Sequence, residues 1–264
     1  MDGLQRCVRY AFGPNKLHLC GPDANKEVLS YITEQNPDKG LVLLLKQFKT
    51  MYPYLQKIAE ANKILDPLDD KVVEAYWLGN EFLEKMDNKQ FYKHLIDTRM
   101  DKKISLNEFK ILKGKLGASP PHPTKICASS AEFKQSLLGV GARMHHTFHV
   151  YNIWKQKKDF MDLKTHNDAD HCRVSWGNII KVDGPVLTVK TKSLIYMEPV
   201  GFVFGPEYQK IINRKLHDDF MEEVKIGDII SFHWDQPCEI LTDSQVKYLE
   251  KYTRMSVELA NLNI

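Results

Sequence analysis

The sequence predicts an α+β fold: an all-helical N-terminal domain over residues 1–165, then a small OB-like β-barrel with a C-terminal helix over 171–264. Three observations predict it. In the first half apolar residues recur at spacings of three and four; after Arg173 they fall into short β-branched and aromatic runs, some alternating at period two; and a capping box opens one last amphipathic stretch.

The chain has 264 residues, 43 % hydrophobic and 27 % charged, enough for one large or two medium domains with cores that need no staples. Its 37 basic and 34 acidic residues are interleaved and leave a net charge of +3, so no broad basic field favours nucleic acid or an anionic membrane as partner. No run of about 18 apolar residues occurs, and Met1 to Arg6 lacks the apolar core of a signal peptide, so a cytoplasmic location is expected. Five widely spaced cysteines, an odd number without C-x-x-C, suit reduced thiols.

Taken in order, Arg9 to Asn15 reads as a helix stopped by Gly13-Pro14, and Cys20-Gly21-Pro22-Asp23 as a turn before a helix starting near Ala24. From Gly40 to Met86 the spacing of Leu41, Leu44, Leu45, Phe48 and of Val72, Val73, Tyr76, Trp77 marks core helices, with Asp66-Pro67-Leu68-Asp69 capping the second group. Trp77 reads as core rather than as a pocket wall. Residues 97–109 imitate a calcium loop, but Arg99 and Lys102 occupy positions that need an acid and a glycine, so a capped turn is expected instead. Pro120-Pro121-His122-Pro123 marks a linker over 117–123.

A further helix is expected from about Ser130 to Asp162, interrupted near Gly139 and Gly141, and it carries His145, His146 and His149. In a helix His145 and His149 share a face about 6 Å apart and can chelate a divalent metal. The second position of the zincin signature is His146, which leaves no general base for a protease. The bland reading is a polar patch or a hydrogen-bonded pair. The sharp one is a metalloenzyme built on His145, His146 and His149, with Cys20 or Glu74 nearby.

Asn167 to Asp170 reads as a polar hinge. Strands follow over Arg173–Val182, Val186–Tyr196 and Phe202–Phe204, the last ended by Gly205-Pro206, with Glu207–Phe220 helical or irregular. Gly227-Asp228 is a tight turn before a strand carrying His233, which ends at Asp235-Gln236-Pro237. Thr242-Asp243-Ser244-Gln245 is a capping box for a helix reaching about Ala260. Barrels of this size bind oligonucleotides or dock proteins, and Trp176 with Phe202 offers faces for stacking, although the near-neutral charge argues against phosphate binding.

Two stretches carry a resemblance. Cys172-Arg173-Val174-Ser175-Trp176-Gly177-Asn178-Ile179-Ile180-Lys181-Val182, and Gly227-Asp228-Ile229-Ile230-Ser231-Phe232-His233 running on to Cys238-Glu239, resemble the HypC/HupF family of [NiFe]-hydrogenase maturation chaperones, allowing for an insertion over 197–220. The resemblance implies that Cys172 is a metal-binding thiolate and His233 its companion. It also implies iron as cargo, in the form Fe(CN)2CO, and a hydrogenase large subunit or maturation scaffold as partner, docked near Trp176 and Trp234. A thiolate completes such a strong-field iron site while staying exchangeable. In the family the Cys follows the initiator Met. Here a helical segment precedes it and is expected to supply a docking surface or extra ligands.

Overall fold

Helix α1, Gly3–Lys16, is the element against which both halves of the molecule are built. The computed structural model describes residues 1–85, 142–154, 163–214 and 223–261; the calcium-loop imitation, the 117–123 linker, Cys127 and most of the helix expected from Ser130 lie outside them.

The Asp2 carboxylate caps α1 by accepting from the Leu4 and Gln5 N–H groups. Gly13-Pro14 does not stop the helix, as the sequence had suggested; α1 runs through both residues to Lys16. Then come α2 (Asn25–Glu34), α3 (Lys39–Lys46), α4 (Met51–Asn62) and α5 (Asp70–Trp77). Asp69 caps α5 through the Lys71 N–H, as its spacing predicted. At Gly79 (φ +87) the chain turns away, and a side chain there would collide with the ring of Tyr252.

The next described helix, α6, is a single turn at His146–His149, running into a π-helical segment at Val150–Trp154. The expected hinge is instead helical: Asn167 to Asp170 belong to α7, Leu163–Cys172, so Cys172 ends a helix and the first strand opens three residues later. Asp170 explains the tight junction, because its carboxylate holds both the Arg173 guanidinium (2.7 Å) and the Leu194 N–H (2.8 Å).

Five antiparallel strands follow: β1 (Ser175–Asp183), β2 (Val186–Met197), β3 (Gly201–Asn213), β4 (Ile229–His233) and β5 (Gln236–Ile240), in the order β3-β2-β1-β4-β5. Among the described residues no ladder joins β3 to β5, so the sheet is not closed. Two expectations are corrected here. Gly205-Pro206 does not end β3: the pairing shifts register between Lys192 and Leu194, and β3 is an edge strand where the missing Pro206 N–H costs little. The stretch after it, expected to be helical or irregular, continues as strand to Asn213. Gln236 to Ile240 form β5, which period two does not betray in so short a run.

The capping box holds: the Gln245 N–H donates to the Thr242 hydroxyl and the Thr242 N–H to the Gln245 amide oxygen, opening α8 (Asp243–Asn261). One core draws on both segments. Tyr10, Leu45, Leu55, Val73 and Phe148 pack with Val174, Cys238, Leu249 and Tyr252, and each fully buried aliphatic chain contributes about 1.5–3 kcal/mol. Within that core lies an ion pair. Arg6 Nε donates to Glu239 Oε1 (2.9 Å) and its Nη2 to Oε2 (3.1 Å), while the Tyr10 hydroxyl also donates to Oε1 (2.9 Å). These bonds fix the register of α1 on β4 and β5.

Candidate metal centre

Five elements converge on one point. The end of α7 supplies Cys172, the end of β4 supplies His233, α6 supplies His146, α5 supplies Tyr76 and Trp77, and α1 supplies the backbone of Tyr10. One imidazole nitrogen from each of His146 and His233 and the Cys172 sulfur all lie within 4.8 Å of one another. Donors around a tetrahedral ion with bonds of about 2.0–2.3 Å stand roughly 3.3–3.8 Å apart, so a contraction of about 1 Å converts the group into a three-ligand site.

The two imidazoles meet edge to face, with centroids 5.0 Å apart, and Trp77 closes them in at 4.5 Å from His146 and 5.5 Å from His233. Both histidines are buried, whereas Cys172 is half-buried and is the most exposed of the three residues. Burial holds the His233 imidazole down to about 4 and that of His146 well below its ordinary 6.5. Both are therefore neutral at pH 7, the form that ligates metals.

Each histidine is held from behind. The His146 Nδ1 faces the Tyr76 hydroxyl at 3.1 Å and its Nε2 the Cys172 carbonyl at 2.7 Å. The His233 Nδ1 faces the Tyr10 carbonyl at 2.6 Å and its Nε2 the same Cys172 carbonyl at 2.8 Å. In each ring Nδ1 is anchored by a hydroxyl or carbonyl, the usual support of a metal-ligating histidine, and Nε2 is turned to the Cys172 side, where the backbone oxygen meets it.

The structure brings together Cys172, His233 and His146, and it separates the other two histidines from them. His145 is the N-cap of α6, not its first helical residue. Its Nδ1 accepts from the Thr147 N–H (3.3 Å) and its ring stacks on Tyr252, while burial lowers it to about 3. His149 instead faces the Tyr54 hydroxyl through Nδ1 at 3.3 Å. In place of the expected helical chelate, His145 is spent on capping α6 and His149 on Tyr54. Glu74 is engaged elsewhere, with Arg6 (3.4 Å) and Gln245 (2.9 Å).

Trp234 is half-buried beside His171, whose carbonyl accepts the Trp234 N–H (3.0 Å), so these two residues flank the outward side of Cys172. Trp176 is half-buried too and walls a cavity with Arg173, Phe204, Lys190 and Arg254. Tyr10 and Tyr76 were not singled out from the sequence for this site. One signal was present for Tyr10, a proline four residues further along the same helix.

A model of the DUF6390 family, described as a family of unknown function, matches residues 1–126 and 124–264. No curated protein and no solved structure matches the chain.

Proposed function

The chain belongs to the DUF6390 family, of unknown function, and from its own site we propose that it is a metal carrier that binds iron through Cys172, His146 and His233. The observation that carries this is the meeting of the three soft donors. Two of them, Cys172 and His233, are the pair that the HypC/HupF resemblance singles out, and they come from segments far apart in the chain.

The donor set suits the cargo that resemblance implies. Two neutral imidazoles and one thiolate bring a single negative charge and no carboxylate, a softness suited to low-spin iron and ill-suited to magnesium or calcium. Three protein donors leave coordination positions for strong-field ligands such as the two cyanides and the carbonyl of Fe(CN)2CO. A thiolate on the outward side can be attacked or exchanged by an incoming partner ligand while the buried histidines hold the ion. In this reading His146 supplies from within the chain a ligand that a small stand-alone carrier would have to borrow. The partner is a hydrogenase large subunit or a maturation scaffold, meeting the His171 and Trp234 side, and the five strands act as an incompletely closed OB-like barrel that presents Cys172.

Infrared spectroscopy tests it. Protein purified after co-expression with a hydrogenase maturation system is expected to carry cyanide and carbonyl stretching bands that vanish in Cys172→Ala. Wild-type protein without such bands, and without capture of a large subunit or scaffold, would overturn the iron-carrier reading.

A further inference from the structure

We infer that Pro14 is a positioning residue that sets the tautomer of His233, by leaving the Tyr10 carbonyl without its helical donor. In an α-helix the carbonyl of residue i accepts from the N–H of residue i+4. Tyr10 and Pro14 stand in that relation inside α1, and proline has no N–H to give. The Tyr10 carbonyl is then exposed in the middle of a packed interface. His233 Nδ1 lies 2.6 Å from it.

The neighbouring residue makes the approach possible. A Cβ on Gly13 would lie 2.5 Å from the His233 carbonyl oxygen and 2.9 Å from the Trp234 Cβ, so only glycine lets the end of β4 lie this close to α1. Gly13 opens the space and Pro14 presents the acceptor. The dipeptide that reads as a helix stop is a seat for His233.

Proton placement decides what the seat does. A neutral imidazole carries one ring proton, and the His233 ring faces two carbonyls, that of Tyr10 at 2.6 Å and that of Cys172 at 2.8 Å. The Cys172 carbonyl has a second donor within reach, His146 Nε2 at 2.7 Å, with the Tyr76 hydroxyl placed to donate to His146 Nδ1. The Tyr10 carbonyl has lost its ordinary donor. The single His233 proton therefore resides on Nδ1 and bonds Tyr10, leaving the Nε2 lone pair directed toward Cys172 and His146. The inference rests on the metal-site reading for its purpose, but the tautomer itself is a property of the metal-free chain.

The test is ring long-range proton–nitrogen correlation on the full-length chain with ¹⁵N-labelled histidine, free of metal, followed by competition titration with Zn²⁺. Wild type is expected to show His233 protonated at Nδ1. In Pro14→Ala, and in Pro14→Gly as a second variant that shares only the restored N–H, residue 14 competes for the Tyr10 carbonyl. The His233 proton is then expected to shift toward Nε2, with Zn²⁺ affinity falling about 10–100-fold. A wild-type His233 protonated at Nε2, or a tautomer unmoved in a folded Pro14 variant, would overturn the inference. If the tautomer shifts as expected while neither protein takes up Zn²⁺, the positioning role stands and the metal-site reading falls.

Discussion

His146 and His233, one from a single-turn helix and the other from the end of a strand, point their Nε2 atoms at one backbone oxygen, that of Cys172, at 2.7 and 2.8 Å. Two imidazoles converge on one acceptor, with a thiol on the same residue; with His233 protonated at Nδ1, the Cys172 carbonyl takes its proton from His146 Nε2 alone, and His233 Nε2 faces it as a bare lone pair. In the proposed metal-bound state the same nitrogens serve as ligands once the Cys172 carbonyl is released and the sulfur turns toward them.

Removing a ligand therefore weakens metal binding in graded fashion. Cys172→Ser is expected to abolish the thiolate-to-metal charge-transfer absorption of the Co²⁺-loaded protein. His146→Ala and His233→Ala should each lower affinity at least as much as loss of a supporting contact, about 10–100-fold or more. Retention of the charge-transfer band in Cys172→Ser would remove the sulfur from the site.

Support from behind is testable separately. Tyr76→Phe deletes the hydroxyl 3.1 Å from His146 Nδ1 and leaves the ring packed on Trp77. Metal affinity is expected to fall about 10–100-fold, and stability by about 1–3 kcal/mol for the buried nitrogen left without its partner. Isothermal titration beside a denaturant melt separates the two effects.

Some of this site was readable in the chain and some was not. Cys172 and His233 stood out through the resemblance, and His146 through its cluster with His145 and His149. Their meeting was not readable, because it depends on α1 lying across β4 and β5 by way of Arg6 and Glu239, a contact without any local pattern. Period-two alternation marked β2, a β-branched run β1, the Gly227-Asp228 turn β4, and the Thr242 capping box α8. The stop signal failed at Gly205-Pro206, where an edge position and a register shift remove the usual objection to proline, and Gly13-Pro14 misled because the close approach it permits is tertiary.

The ion pair that holds α1 in place should be costly to break singly. Arg6→Ala leaves the Glu239 carboxylate buried without its guanidinium and is expected to destabilise by about 3–5 kcal/mol. Replacing both, as Arg6→Met with Glu239→Leu, should recover much of that loss. Denaturant midpoints of the single and double variants measure it, and a double variant as unstable as Arg6→Ala would contradict the account.

Acid should unfold the protein through its buried histidines. His145 is lowered to about 3, His233 to about 4 and His146 well below 6.5, by burial in each case. In the unfolded chain all three take protons near 6.5, so between that pH and about 3–4 the unfolded state binds more protons than the native one. Stability is therefore expected to fall as pH drops below 6.5 and to be indifferent to these groups above about 7.5. Denaturant titrations at pH 7.5, 6 and 5 check the sign; equal stability at all three would contradict neutral burial.

X-ray absorption at the metal edge of the Zn²⁺-loaded chain tests the central claim most directly. The account predicts one ion per chain with one sulfur at about 2.3 Å and two imidazole nitrogens at about 2.0–2.1 Å, the sulfur shell disappearing in Cys172→Ser. A shell of oxygen and nitrogen alone in the wild-type protein would contradict it.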